Sequence, residues 1–374
     1  MLDRQFGIRL MLLVGPSIPR PPSAAVMNAL TRVEVTNNSS EQDGFSLTFA
    51  CGRSALGDYD LVKSGKFAPM TRVAIGVVFG VLPEILIDGI ISHAQLNPGS
   101  GPGTATFTVM GKDVSLAMDL EEKDKPAPNQ GDFMIVGSLL SDYASKYGIV
   151  PNIRPTTDVP LMIQRIPQQT RETDLQVIQR LAARNGFVFY VEPKAVGVSD
   201  AYWGKEKRVG LPQRALSVDQ GTITNVQEIN FSDDALAATG TKGVIVEPIS
   251  KMRIPIPALP SLKMPPLAAR AATPYRKTLQ RDVANQKPAT AATRMLAAAT
   301  NMPDASTATG TVNSVRYGRA LRARKLVGLS GAGRTHDGFW YVRKVTHTIS
   351  RGEYEQSFEL GREGTGALLP LVRR

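Results

Sequence analysis

The stretch Thr173-Asp-Leu-Gln-Val-Ile-Gln-Arg-Leu-Ala-Ala-Arg-Asn-Gly-Phe-Val-Phe-Tyr190 holds a helix start, a helix stop and a strand in immediate succession. Thr173 is placed to cap the helix, and Gln176 occupies the capping-box position three residues on. Leu175, Ile178, Leu181 and Ala182 form an apolar stripe at helical spacing, while Arg171, Gln179, Arg180 and Arg184 fall off it. Asn185-Gly186 stops the helix, and Phe187-Val-Phe-Tyr-Val191 has the aromatic and β-branched content of a strand. The order predicts a compact α+β unit in which Asp174 and Arg180 are structural, with no catalytic role.

Upstream, residues 31–118 alternate with period two. Leu30-Thr-Arg-Val-Glu-Val35, Phe45-Ser-Leu-Thr-Phe49, Val73-Ala-Ile-Gly-Val-Val-Phe79 and Ile85-Leu-Ile87 read as strands, separated by Asn37-Asn-Ser-Ser40, Asp43-Gly44 and the loop Pro98-Gly-Ser-Gly-Pro-Gly103. Short strands joined by such turns predict a barrel or sandwich. The charged, proline-containing run Glu121-Glu-Lys-Asp-Lys-Pro-Ala-Pro128 reads as a boundary. Residues 133–147 then read as a helix, with Ile135, Leu139, Tyr143 and Tyr147 on one face and Gly148 as its stop.

Downstream, residues 220–250 read as further strands. Ile254-Pro-Ile-Pro-Ala-Leu-Pro-Ser-Leu-Lys-Met-Pro-Pro266 should be extended rather than a central strand, because proline fixes φ and removes the backbone donor. It suits a linker or an arm laid over a neighbour. Residues 288–300 are alanine-rich and helix-prone, with Pro288 tolerated in the first turn. Lys325-Leu-Val-Gly-Leu-Ser330, Phe339-Trp-Tyr-Val-Arg-Lys-Val345 and residues 354–360 return to a β-meander.

The 374-residue chain is long enough for two or three domains. Its one cysteine, Cys51, ends an alternating apolar run and reads as a buried strand residue; an internal disulfide and a cysteine-rich zinc site are excluded. The N-terminal fifteen residues read as a first strand, not a signal peptide, and no segment approaches the roughly 20 apolar residues of a membrane span. The expectation is a soluble chain without membrane insertion, folded in the cytoplasm. Residues 270–374 hold 18 Lys/Arg against 7 Asp/Glu and account for the whole net charge of +11. That excess suits nucleic acid, acidic protein surfaces or lipid headgroups, or simply a solvated or subunit-facing surface. Arg316, Arg319, Arg322 and Arg324 recur at short spacing but lack the interleaved aromatics of nucleic-acid modules.

Chemistry-bearing patterns are sparse. His93, His336 and His347 lack metal-ligand spacing, and His336-Asp337-Gly338 reads as a turn. The carboxylate pairs Glu121-Glu122 and Asp233-Asp234 lie in polar segments and point apart, which suits solvated loops better than general acid–base work. There is no phosphate-binding loop ending and no Gly-x-Ser-x-Gly elbow. Catalytic, cofactor and metal sites are all expected to be absent.

Several of these segments together resemble the hub family of contractile tails, which includes phage late control D proteins and the N-terminal part of type VI secretion spike proteins. The 173–190 stretch is similar to the family's Asp-Leu–x–x–Ile–x–Arg-Leu-Ala–Gly–Phe-Tyr pattern. Val109-Met-Gly-Lys-Asp-Val-Ser115 resembles the end of the family's first barrel. Gly338-Phe-Trp-Tyr-Val-Arg-Lys-Val-Thr-His347, with Gly352-Glu-Tyr354 and Phe358-Glu-Leu360, resembles its closing meander. The match spans about residues 30–365 and is weak over 192–310; the order of the motifs is more specific than any one of them.

The resemblance implies an α+β, mainly β chain with two tail-tube-like antiparallel β-barrels and small α+β insertions. The expected division is residues 1–120 as the first barrel, completed by part of 210–250, and 121–209 as an α+β insertion contributing to the second. Residues 210–250 would be a β segment, 251–310 a proline-rich arm and alanine-rich helix, and 311–374 the meander of the second barrel. It further implies a homotrimer with six tube-like domains, contacting a spike trimer, a tail-tube or tube-initiator protein and surrounding baseplate proteins. DNA or cargo would pass transiently through the lumen. The setting would be a virion tail or injection-particle baseplate, assembled in the bacterial cytoplasm. The chain stops soon after the meander, so the spike and any cell-wall enzyme are expected as separate chains. Two other readings compete: a nucleic-acid-binding protein using the basic C-terminal third, and a cell-wall hydrolase.

Overall fold

A computed structural model describes residues 7–16, 19–53, 57–80, 82–101, 103–156, 167–246, 252–259, 261, 263–280 and 288–368. The first segment contains strands β1 (Ile8–Gly15), β2 (Leu30–Asn38), β3 (Gly44–Ala50), β4 (Arg72–Phe79), β5 (Leu82–Asn97) and β6 (Thr106–Asp113), with short helices α1 (Ala24–Ala29) and α2 (Asp60–Lys63). Next come β7 (Glu122–Pro126), α3 (Asp132–Tyr147), β8 (Ile149–Ile153), β9 (Pro167–Thr173), α4 (Asp174–Asn185), β10 (Val188–Ala195) and β11 (Val198–Gly204). The remainder holds β12 (Gln213–Ser217), β13 (Val226–Asp233), β14 (Thr239–Val246), β15 (Arg253–Leu259), β16 (Ala268–Ala271), β17 (Arg276–Gln280), α5 (Pro288–Thr300), β18 (Ser306–Asn313), α6 (Ser314–Tyr317), β19 (Leu326–Ser330), β20 (Gly338–Ser350), β21 (Glu353–Arg362) and β22 (Gly364–Ala367).

Twelve strands make one sheet in the order β1-β4-β5-β6-β3-β2-β20-β21-β18-β13, with β19 pairing β20 and β12 pairing β19. It divides into two six-stranded halves. Antiparallel pairing of β2 with β20, from Arg32↔Ser350 to Asn38↔Lys344, fuses them side by side. The mainly β, α+β class read from the sequence is the class observed. Among the described residues, however, no pairing closes either half into a barrel; β1 pairs only with β4, and β13 only with β18.

The period-two pattern explains the first core. β3 buries Phe45, Leu47 and Phe49 on one face, and they meet Val33, Val35, Ile75, Val77, Ile87, Phe107 and Val109. The second half has its own core around Val312, Tyr317, Trp340, Val342, Phe358 and Leu360. β20 serves two partners along one side: Leu326–Leu329 pair with its first four residues, and β2 with its last seven. On its other side a bulge against β21 falls at Arg343, which turns that side chain out of the regular alternation.

Three expectations need correction. Residues 210–250 do not complete the first half: β12 pairs β19 and β13 pairs β18, both in the second. Residues 121–209 do not add strands to the second half either. They form a separate sheet, β10-β11-β8, whose core of Ile135, Leu139, Leu175, Ile178, Leu181 and Trp203 borrows Ile90, Val114 and Met118 from the first half. The charged run at 121–128 contains a strand, β7, paired with β9. Its side chains are nearly all exposed, so no apolar alternation marked it. The proline-rich stretch supplies β15, the outer strand of the sheet β15-β14-β17, an edge position where missing N–H groups are tolerated.

Candidate functional site

The 173–190 unit builds the first polar anchor. Thr173 accepts the Gln176 N–H and the Gln176 side chain accepts the Thr173 N–H, completing the capping box. Gly186 ends α4 in the left-handed region at φ +67°, and a Cβ there would lie 3.0 Å from the Cα of Ala297 on α5. Asp174 is fully buried. It accepts hydrogen bonds from Lys123 Nζ (2.6 Å), Tyr143 Oη (2.6 Å) and Gln169 Nε2 (3.0 Å). Burial works against its ionisation, but these donors outweigh it and hold the carboxyl below its usual range. Arg180 pairs with Glu172, and Arg184 with Asp132. These groups tie α3, α4, β7 and β9 together and present no free nucleophile, base or acid.

A second anchor joins all three parts of the chain. Arg324 is 5% exposed and held at φ +66°, a conformation uncommon for a residue with a side chain. Its guanidinium pairs with Asp43 and donates to the Asn38 carbonyl, and it lies 4.4 Å from the Tyr190 ring centroid. Asp43 also accepts from Asn37, and its backbone N–H donates to Asp113 (2.8 Å). Burial and the neighbouring Asp43 carboxylate push Asp113 up to about 6. The anchor thus spans the β2–β3 turn, the end of β6, the lead-in to β19 and the motif strand β10.

A third group lines a cavity of about 1020 Å³ between α4, the end of α5 and the second half. Arg343, turned out by its bulge, meets Glu206 and Asp304. Lys263 of the proline-rich arm reaches Asp304 at 2.7 Å. Arg208 bridges Glu206 (2.7 Å) and Glu363 (2.6 Å), and Glu363 accepts the backbone N–H groups of Leu267 and Ala268. Burial disfavours the Asp304 and Glu206 charges, yet Arg343 with Lys263 or Arg208 keeps both below their ordinary values. Three cations and three carboxylates offset one another here, so the arrangement suits holding the arm in place. Among the described residues no group of His, Cys, Asp and Glu has the geometry to hold a metal.

The residues singled out in the sequence are scattered. His347 is buried with Nδ1 2.8 Å from Tyr354 Oη, and burial, with Arg322 nearby, lowers it to about 3. His336 stacks on Phe231 at 4.2 Å between ring centroids, and His93 is exposed on β5. Glu121 is exposed; Asp233 accepts from Ser306, and Asp234 from the Leu236 N–H. Neither carboxylate pair lines the cavity. Of the four recurring arginines, Arg324 is consumed in its anchor and Arg322 is half-buried against the Ile85 carbonyl and Glu84, while Arg316 and Arg319 are exposed. Sequence reasoning missed the anchors because each depends on contacts between residues 31 to 286 positions apart, with no local signal.

The outer strands of the large sheet are the remaining candidates. The sheet ends at β1, β12 and β13; among the described residues β12 and β13 each pair along one side, and the outer side of β1 takes a single bridge, Val14 to Arg20. Such edges present N–H and C=O groups in register and are natural assembly surfaces.

No family model and no curated protein matches the sequence. Solved structures match along nearly its whole length. A tail protein from Neisseria meningitidis MC58 is 13% identical, with 96% of this chain and 97% of that one covered at a TM-score of 0.64. A 43 kDa tail protein of prophage MuSo2 from Shewanella oneidensis is 14% identical, with 95% and 98% covered at 0.61. A component of the type VI secretion system of E. coli, described as structurally similar to bacteriophage T4 tail proteins, is 13% identical, with 92% and 77% covered at 0.54. The chain therefore has the fold shared by phage tail proteins and type VI secretion spike and hub proteins, the fold its motifs resemble.

Proposed function

We propose that three copies of this chain form a pseudo-sixfold ring that joins a central spike to the tail tube of a phage tail or contractile injection system. The observation that carries the reading is the large sheet: each chain supplies two six-stranded halves side by side and leaves open strand edges on β12, on β13 and, beyond the Val14–Arg20 bridge, on β1. Three such chains supply six similar units, enough to present threefold symmetry to a spike trimer and near-sixfold symmetry to a tube. Ring closure would also cover edges that otherwise invite open-ended association. Surrounding baseplate proteins are further partners, and DNA or cargo would pass through the lumen. The place of action is the baseplate of the virion tail or injection particle, after assembly in the bacterial cytoplasm. The role is structural, with no catalytic step, in keeping with charged clusters that are internally paired.

Native mass spectrometry of the purified chain, alone and with its spike trimer, tests this. Three chains per particle is the expected mass. A chain that stays monomeric at every concentration and never joins a spike or tube would sink the proposal.

A further inference from the structure

Residues 239–301 carry ten Lys/Arg against two Asp/Glu, a net of +8 where the whole chain has +11. Within them lies a small unit outside the large sheet: the strands β15-β14-β17, with α5 packed against β14 and β15. Period two orients the central strand. Thr241 and Gly243 are buried, whereas Lys242 and Val244 are exposed on the opposite face. The register Gly240↔Lys277 and Lys242↔Leu279 puts Lys277 and Leu279 on that exposed face as well. It therefore carries two cations beside two aliphatics, and none of the three strands contains a carboxylate.

The two outer strands differ. β15 contains Pro255 and Pro257, which lack the N–H groups that a further strand would use. β17 reads Arg276-Lys-Thr-Leu-Gln280, has no proline and pairs only with β14 among the described residues. Its residues 276–279 are all exposed, Leu279 at 63%. Its outer side thus offers a row of backbone donors and acceptors. Lys242, Arg276 and Lys277 make no ion pair among the described residues. Cations on such an edge repel a second copy laid edge to edge and attract a strand of opposite charge.

We propose that β17 receives an extended acidic segment of another protein as a fourth strand. Backbone pairing along residues 276–280 supplies the hold, carboxylates lie alongside Arg276 and Lys277, and an apolar side chain covers Leu279. Lys242 adds to the local field that draws the segment in. Nucleic acid is the weaker occupant. Tyr275 is the one aromatic residue in 239–301, so successive bases lack a stacking platform, and phosphates leave the C=O groups of the edge unused. This docking does not depend on the ring.

The test uses the full chain and short fluorescein-labelled peptides of alternating Glu and Val, Lys and Val, or Glu and Pro, read by anisotropy. The Glu–Val peptide should bind. The Lys–Val peptide should bind at least tenfold more weakly for its charge, and the Glu–Pro peptide likewise for its missing N–H groups. Arg276→Glu/Lys277→Glu, at two exposed sites and with thermal unfolding unchanged, should lose at least tenfold for Glu–Val and gain binding of Lys–Val. Hydrogen exchange of residues 276–280 should slow when Glu–Val binds. Equal binding of the Glu–Val and Glu–Pro peptides, or binding without slowed exchange in β17, overturns the added strand. A short DNA duplex that binds more tightly than Glu–Val, and is lost in the double variant, would assign the surface to nucleic acid instead. Exchange in β17 that is already slow in the isolated chain at every concentration would show that the chain covers its own edge. Exchange that slows only as the chain is concentrated would give the edge to a second copy. A trimeric mass without peptide binding strikes the docking and leaves the ring standing.

Discussion

Single buried residues set how this protein responds to pH. Asp113 and His347 are both buried and pull in opposite directions. Asp113 is raised from 3.8 to about 6, so between these values the folded state holds more protons and stability falls as pH rises. His347 is lowered from 6.5 to about 3, so over its range the unfolded state holds more protons and stability rises with pH. Each contributes a slope of about 1.4 kcal/mol per pH unit, of opposite sign. Between about pH 5 and 6 they largely cancel, and urea unfolding of the wild type should show nearly flat stability there, with the depressed carboxylates Asp174, Glu206 and Asp304 adding a rise with pH below that window. Asp113→Asn should remove the opposing aspartate slope, so stability falls on acidification across that window. His347→Phe should remove the histidine slope and leave the aspartate dominant, so stability rises on acidification between about pH 6 and 5. The slope is the readout, because each variant also loses a hydrogen bond; equal slopes in all three proteins would refute the assignment. Arg324 gives a second residue-scale expectation. Arg324→Met strands Asp43 and Asp113 in a buried site, so unfolding by urea should show a loss of about 3–5 kcal/mol. A loss under 1 kcal/mol would mean the anchor is dispensable.

At the scale of elements, Gly186 separates two causes of constraint. Its φ of +67° requires a residue tolerant of the left-handed region, and α5 crosses close above it. Asparagine satisfies the first demand but still brings a Cβ. Gly186→Ala and Gly186→Asn should therefore both lower thermal stability, with asparagine recovering only part of the loss; full recovery would show that α5 imposes nothing. The α4 unit was legible because its signals are local: Thr173, Gln176, the 175–182 stripe and Gly186 each act within four residues. The alternation of Phe45, Leu47 and Phe49 was legible for the same reason. β7 was not, since a strand exposed on both faces carries no period-two apolar signal. Nor was the allegiance of β12 and β13, because their partners β19 and β18 lie some 80 to 110 residues away. Pairing over such distances is chosen by the assembled core, and composition does not report it.

For the whole molecule, the formal charge of +11 overstates what a polyanion would meet. Arg343 is half-buried between Glu206 and Asp304. Arg362 is fully buried over the Trp340 ring, 4.0 Å from its centroid, and donates to the Thr335 and Asp337 carbonyls. With Arg324 in its anchor and Arg322 against Glu84, four arginines of the C-terminal excess are engaged within the protein. Among the described residues of 270–374, Arg270, Arg276, Lys277, Arg316, Arg319, Lys325, Arg334, Lys344 and Arg351 remain exposed, spread over β16, β17, α6 and the stretches around β19 and β20, with Tyr275 an exposed aromatic beside Arg276. Cations scattered over separate elements, with one aromatic neighbour among them, reach few phosphates at once. Binding to short duplex or single-stranded DNA should therefore be weak at about 50 mM salt, and the slope of log K against log salt should correspond to about one or two released counterions. Filter binding across a salt series measures that slope directly. A slope of about six or more would require a continuous basic track, and would move nucleic-acid recognition ahead of the ring as the reason for the charge.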